Sequence, residues 1–335
     1  MRILVDATIL AAPAAGLRSY VEGLVPALAE RAEVTAVVPE GARLRGAEVV
    51  RAPASVGRLA ARAAWRERHL ARLAREARAH VLLAPSPEVP LRGAGVPSIM
   101  VVHDVFPFTS PDLVGRAKRL RFRAVFPLMR RRAGAVVAVS DATARAIGGA
   151  SATIGEGPSP IPEAPPATFA RPYVLAVGAL YRRKQLDVLL RALPPELDLV
   201  LAGPADDEAR AALSRDRVRH EGWVTPERLG ALYRGAAVYA LPSLDEGFGR
   251  GLLDAMALGT PAVVSDIPAL RELGGDAVRL VSPPTEAAAW TRALAEVAGD
   301  GALRERMAAR GRELAAGRTW DVVAEQFVAL ARRLA

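Results

Sequence analysis

Glu246 and Asp254 stand on either side of a glycine-bearing turn in the run EGFGRGLLDAMALGTPAVVSD. Glycines just ahead of a helix let backbone N–H groups approach a ligand closely, and a helix N-terminus favours negative charge. A diphosphate seated near Gly247 and Gly249 would leave both acids free to accept hydrogen bonds from hydroxyl groups. A plainer reading has Glu246 complementing the helix dipole and Asp254 as a solvated helix residue. What tells against the plain reading is a second cluster, Arg182, Arg183 and Lys184, which follows Gly178 at the end of the apolar run Val174 to Val177. Cations on one loop and a helix N-terminus on another would grip a diphosphate from two sides, with the acids reading sugar hydroxyls. A nucleoside diphosphate sugar carries that distribution of groups. A third candidate is His103–Asp104 at the end of the run Ser98 to Val102, where the pair either contacts a ligand or closes a turn.

The elements that must hold these residues alternate between strand and helix. Val238 to Leu241 reads as a strand delivering the chain to Pro242 and Ser243. A helix follows from Arg250 to Leu258, stopped by Gly259 and Pro261, and then the strand Ala262 to Ser265. In the first half, Arg2 to Ala7 is a buried strand, and Thr8 to Leu17 is a loop in which Gly16 allows close backbone approach. A helix from Arg18 to Arg31 and a strand from Val34 to Val38 come next. Gly57 to His80 reads as a long helix with Arg at 58, 62, 66, 68, 72, 75 and 78, expected to form a solvated face. Strands Val81 to Ala84, Ser98 to Val102 and Ala135 to Val139 follow, with Ser140 as a helix N-cap. Between the last two lies a basic helix, Arg116 to Arg132, interleaved with Leu120, Phe122, Val125, Phe126 and Leu128. It either covers its own sheet or docks on anionic lipid.

Prolines 158, 160, 162, 165, 166 and 172 mark an interdomain linker. A second series then begins, with strands Val174 to Val177, Asp198 to Ala202, Val218 to Glu221 and Val278 to Val281 around the organising run. Its helices are Asp207–Ser214, Glu227–Ala236, Glu286–Val297, Ala302–Ala316 and Trp320–Leu334. Two doubly wound α/β units predict a cleft between their strand C-terminal ends. Neither G-x-G-x-x-G in the first loop nor a G-x-x-x-x-G-K-[ST] phosphate loop is present.

With 335 residues, 51% of them hydrophobic, the chain is long enough for two cores. The absence of cysteine excludes disulfides and thiolate metal sites and fits a reducing compartment. Nothing resembles a signal segment, and no apolar stretch approaches the ~20 residues that span a bilayer. A cytoplasmic protein is expected, with peripheral contact at the inner face of the membrane as a further option. The net charge of +9 is lopsided: residues 1–170 hold 23 Lys and Arg against 14 Asp and Glu, while the remainder holds 22 of each. A basic first half suits an anionic partner, although Lys118 and Lys184 are the only lysines, so the arginine and alanine content also fits genome bias.

Taken together, these motifs resemble the family 4 glycosyltransferases of the GT-B fold over nearly the whole chain. The organising run is similar to the family's E-x7-E block, in which the first Glu contacts the donor sugar and the second the nucleotide ribose; Asp254 replaces the second Glu, and Arg250–Gly251 an apolar–Pro pair. VGALYRRKQLDVLLRAL resembles the segment that holds the diphosphate, with Ala179 where an Arg is common, so the job falls to Arg183 and Lys184. VVHDVFPF resembles a branch rich in GDP-mannose users, where the His lies close to the transferred sugar. GLRSY from Gly16 is similar to the loop closing over the donor, HEGWV to the loop near the base, and TWDVV to the start of a helix crossing back to the first domain. IGEGPSPI stands where the family shows a V-x-N-G-V-type segment.

The resemblance implies two Rossmann-like domains facing across a cleft: 1–160 on the acceptor side, a linker at 161–172, 173–317 on the donor side, and 318–335 as the returning helix. It implies a retaining sugar transfer in which His103 and Glu246 are the catalytic residues. Gly16, Arg183, Lys184, Phe248 and Gly249 would hold the diphosphate, and Trp223, Val224 and Asp254 the nucleoside. No metal or other cofactor is implied, and D-x-D does not occur. The expected partners are a nucleotide sugar, GDP-mannose favoured, and a sugar, lipid-linked or natural-product acceptor. Two alternatives remain at this stage. A GT-B nucleotide-sugar epimerase needs acid/base residues, of which His103 and Glu246 are the few on offer. A basic anion- or nucleic-acid-binding protein would explain the charge but not the two phosphate loops, and 5% aromatics give little base stacking.

Overall fold

The computed structural model describes residues 1–12, 15–178, 182–205, 213 and 216–335. The chain divides into two compact units: Met1–Ser159 with Arg318–Ala335, and Pro160–Gly317.

In the first unit, β1 (Arg2–Asp6), β2 (Glu33–Pro39), β3 (Glu48–Ala52), β4 (Val81–Ala84), β5 (Ser98–Val102), β6 (Ala135–Ala138) and β7 (Ala152–Thr153) form a parallel sheet. Its order is β3-β2-β1-β4-β5-β6-β7. Every residue of β4, β5 and β6 is buried, which is why these strands read as unbroken apolar runs: helices cover both faces. The covering helices are α1 (Ala15–Ala29), α2 (Leu59–Glu76), α3 (Phe106–Thr109), α4 (Arg116–Arg132) and α5 (Asp141–Ala146). The Ser140 hydroxyl caps α5 by accepting from the Thr143 amide at 3.0 Å, as its place before Asp141 suggests. Strand β3 carries no strong sequence signal, because at this sheet edge its EVVRA pattern leaves only Ala52 fully buried.

Arg58, Arg68, Arg72, Arg75 and Arg78 are exposed, as their spacing suggests, but two arginines of α2 are not. Arg62 and Arg66 are 4% and 3% exposed, respectively. Arg66 bridges Asp6, at the end of β1, and Glu88, after β4, while Arg62 Nε lies 3.3 Å from the same Glu88 carboxylate. Asp6 also accepts from the Thr8 hydroxyl at 2.6 Å and the Thr8 amide at 3.1 Å. Burial would raise the Glu88 carboxyl, but the Arg66 and Arg62 charges outweigh it and hold it below the usual carboxylate range. Arginine spacing alone does not reveal this, because both acids come from distant strand ends.

The second unit holds β8 (Tyr173–Val177), β9 (Asp198–Ala202), β10 (Val218–Gly222), β11 (Val238–Leu241), β12 (Ala262–Ser265) and β13 (Val278–Val281). They pair in parallel in the order β10-β9-β8-β11-β12-β13. Its helices are α6 (Leu186–Ala192), α7 (Pro226–Gly235), α8 (Arg250–Ala257), α9 (Pro268–Gly274), α10 (Ala287–Gly299) and α11 (Gly301–Ala316). Val174, Leu199, Val238, Val263 and Trp290 are among the side chains fully buried in its core. The helix expected at Asp207–Ser214 lies outside the described residues, apart from the buried Leu213. A last helix, α12 (Trp320–Leu334), belongs to the first unit, where it packs on α1.

Candidate functional site

In the second unit, β8 and β11 lie side by side, and the chain leaves them toward opposite edges of the sheet. Such a switch point opens a crevice at the strand C-terminal ends, where ligands bind in open α/β sheets. Both sequence clusters fall there. After β8, Gly178 has φ +119°; a 3-10 turn then spans Arg182–Lys184, and Gln185 takes a left-handed φ of +42° before α6. After β11, the chain runs through Pro242 and Ser243 to Gly249, whose φ of +101° turns it into α8.

The two loops are sewn together. The Leu244 amide donates to the Arg183 carbonyl at 2.9 Å, the Gln185 side-chain amide to Pro242 O at 2.9 Å, and the Arg183 guanidinium to Asp245 O at 2.6 Å. At the centre, Glu246 Oε1 accepts from Lys184 Nζ at 2.6 Å and from the Ser243 hydroxyl at 2.7 Å, with Arg183 at 2.9 Å. Burial would raise the Glu246 carboxyl, but Lys184 and Arg183 outweigh it and pull its pKa down to about 2. Burial in turn lowers the Lys184 ammonium, against the pull of Glu246. Acid and cations thus form one charge cluster, since at this burial neither tolerates isolation, whereas the sequence frees Glu246 only once a diphosphate is seated.

A side chain at Gly249 would be strained. Beyond its positive φ, a Cβ there would stand 2.5 Å from Leu270 Cδ2. Phe248 is buried, so what it can offer a ligand is its backbone amide. Asp254 is 6% exposed, which removes the solvated-helix reading. At Gly251 the Tyr239 hydroxyl fills the space that a side chain would need. Trp223 follows β10 at the same C-terminal edge of the sheet and is 72% exposed, with Val224 half-buried beside it. An exposed indole at that edge is a platform on which a flat base can stack.

The first unit holds the other two sequence candidates. Gly16 lies in the first turn of α1 rather than in a loop, and is exposed with open space around it. His103 follows β5; its Nδ1 is 2.9 Å from Glu156 Oε1 and its Nε2 is 3.0 Å from Pro85 O. The sequence pairs His103 with Asp104, yet the structure pairs it with Glu156, 53 residues away. Sequence reasoning also missed Ser243 and Gln185. Ser243 had one signal, its place three residues before Glu246. Gln185 had none, since its role depends on a left-handed turn.

Among the described residues, no group of three or more His, Cys, Asp and Glu side chains gathers as a metal site. No helix among them is long and apolar enough to cross a membrane.

Two doubly wound parallel-sheet units place the chain in the GT-B class. Sucrose-phosphate synthase from Thermosynechococcus elongatus superposes with a TM-score of 0.81 at 20% identity, covering 100% of this chain and 99% of that one. WaaG, a glycosyltransferase of lipopolysaccharide biosynthesis, gives 0.74 at 17% identity over 99% of each chain. Residues 14–150 match the model described as Glycosyltransferase Family 4 and residues 163–314 that described as Glycosyl transferases group 1. The chain belongs to the family 4 glycosyltransferases. Among curated relatives, the phosphatidyl-myo-inositol mannosyltransferase of Mycobacterium leprae is 36% identical over 158 residues, 44% of this chain and 42% of the relative. The O-antigen chain mannosyltransferase B of Escherichia coli is 33% identical over 170 residues, 47% of this chain and 44% of the relative. These alignments span less than half the length of either relative.

Proposed function

We propose that the chain transfers a hexosyl group, with retention of configuration, from a nucleoside diphosphate sugar to an acceptor hydroxyl, with GDP-mannose the favoured donor. The observation that carries this is the Arg183–Lys184–Glu246 cluster beside the N-terminus of α8. A diphosphate arriving there competes with Glu246 for the two cations and accepts from the amides at Phe248–Gly249. The displaced carboxylate is then free to accept hydroxyl protons of the sugar. Asp254 and the Trp223–Val224 edge take the ribose and the base. As the acceptor oxygen bonds to the anomeric carbon on the face the diphosphate leaves, the bond to phosphate breaks and the acceptor proton passes to the departing phosphate oxygen. Fixed cations and amides stabilise the charge that develops there. The mannosyltransferase names of the two relatives support the donor preference; a sugar, lipid-linked or natural-product acceptor fits equally.

Lys184→Ala should weaken GDP binding roughly tenfold or more, the scale of a lost charge-assisted hydrogen bond. Calorimetric titration of GDP decides it, and unchanged affinity would remove Lys184 from the diphosphate site. A panel of nucleotide sugars, read by thermal stabilisation, tests the donor.

For the acceptor side, we propose peripheral contact with an anionic membrane through α4. That helix carries arginines at 116, 119, 121, 123, 130, 131 and 132, no acid in its first turn, and Leu120 and Leu128 exposed at 73% and 48%. Arg130 is pinned to the carbonyls of Ile147 and Gly149, so the contact falls to the rest of the helix. Sedimentation with vesicles should show binding that needs anionic lipid and fades as salt screens the charge. Equal pelleting with neutral vesicles, or none with either, would sink the idea.

A further inference from the structure

The segment IGEGPSPI departs from its family pattern, and the structure gives it a task shared with the returning helix. Thr319 caps α12 by accepting from the Val322 amide at 3.2 Å, and Val323, Phe327 and Leu330 are among the residues buried along that helix. With α12 packed on α1, Trp320, its first residue, is delivered to a fixed place. Two glycines make room for the indole. A Cβ on Gly157 would stand 2.7 Å from the ring, and one on Gly23, inside α1, would run into it. Neither glycine has a positive φ, and glycine within a helix is a poorer choice than alanine, so the indole is what requires them.

From this seat the indole touches two supports of one histidine. Its N–H donates to Pro158 O at 2.8 Å and so clamps the backbone that carries Glu156, whose Oε1 lies 2.9 Å from His103 Nδ1. Its ring meets Tyr20 edge-on at 5.3 Å, and Tyr20, fully buried, meets the His103 ring edge-on at 4.5 Å. Edge-to-face contacts hold rings at a preferred tilt, and a close-packed interior passes a displacement on to its neighbours.

We infer that Trp320 is a positioning residue that fixes the place and tilt of the His103 ring, through Tyr20 and through the backbone carrying Glu156. Only the effect on turnover rests on the transferase reading, with His103 beside the transferred sugar and the diphosphate held by Arg183 and Lys184.

The test has two arms. In the first, the ligand-free, full-length protein with 13C-labelled aromatic and histidine rings is examined by NMR at one neutral pH, with His103→Gln assigning the signals. In the wild-type protein, NOEs should link the Trp320 indole to the Tyr20 ring and the Tyr20 ring to that of His103. The absence of either would overturn the inference without recourse to any variant. In Trp320→Ala and Gly23→Ala, the Tyr20–His103 NOE should weaken and the His103 signals shift, while those of His69, His80 and His220 stay in place. Gly23→Ala keeps the indole and favours the helix, so it separates displacement of the ring from loss of α1. An unchanged NOE, or equal shifts at all four histidines, would overturn the inference. In the second arm, GDP release from GDP-mannose is followed. Trp320→Ala should lower kcat roughly tenfold to a hundredfold with KM within about twofold, the scale of a small misplacement at a reacting centre. Trp320→Phe, which keeps a ring against Tyr20, should recover part of the loss. A change in KM alone, or no change, would also overturn it. If the wild-type protein neither binds nor turns over any nucleotide sugar, the transferase proposal falls, and the ring contacts still decide whether Trp320 positions His103.

Discussion

Glu246→Gln is expected to lower turnover roughly tenfold to a hundredfold while free GDP binds at least as tightly as before. The asymmetry follows from the cluster at the β8–β11 switch point. Glu246 lies 2.6 Å from Lys184 and 2.9 Å from Arg183, so it occupies the cations that a diphosphate would use. Removing its charge relieves that competition, yet leaves the sugar with a neutral amide where a carboxylate should accept its hydroxyl protons. Calorimetry with GDP and a GDP-release assay separate the two effects. If GDP affinity fell with turnover, the carboxylate would be organising Lys184 and Arg183 rather than reading the sugar. The same residue sets a stability limit in acid. Its pKa of about 2 in the folded chain lies below the usual carboxylate value, so its contribution is complete above roughly pH 4.5 and is lost as pH falls through about 2.

Arg66→Met should cost about 3–5 kcal/mol of stability, the scale for removing one partner of a buried ion pair. The cost comes from what is left behind: Asp6 at 1% exposure and the partly covered Glu88 would keep their charges with only Arg62 near one of them. Because Glu88, which Arg66 and Arg62 hold below the usual carboxylate range, can then take up a proton more readily, the deficit should shrink as the pH is lowered. Urea unfolding of wild-type and variant protein at neutral and mildly acidic pH measures both. A loss below about 1 kcal/mol would place these charges with ordinary surface pairs, whose worth is of that size.

These two predictions show where sequence legibility ends. The strands with unbroken apolar runs, such as Ser98–Val102 and Asp198–Ala202, are readable because parallel strands are covered on both faces. The edge strand Glu48–Ala52 and the helix Pro268–Gly274 are not, since one sets only two valines between Glu48 and Arg51 and the other is too short for a clear period. In the site, glycine–cation–carboxylate spacing exposed Arg183, Lys184, Gly249 and Glu246, which follow strand ends and carry local signals. Glu156, Arg62 and Arg66 stayed hidden because their meaning lies in partners 22 to 60 residues away. Charge chemistry between distant segments leaves no periodicity in either one.

The return of the chain to its first unit has a practical consequence. Because Arg318–Ala335 folds with Met1–Ser159, the segment Pro160–Gly317 is an insertion in its host, not the second bead of a string. The indole of Trp320 on Pro158 O brings the two splice points together on the host surface, the arrangement under which insertions are tolerated. A chimera that exchanges residues 160–317 should therefore be cut at Ser159 and Arg318. A fusion that instead trades everything after Ser159 would strip Phe327, Val328 and Leu330 from the host core, along with the clasp on Glu156.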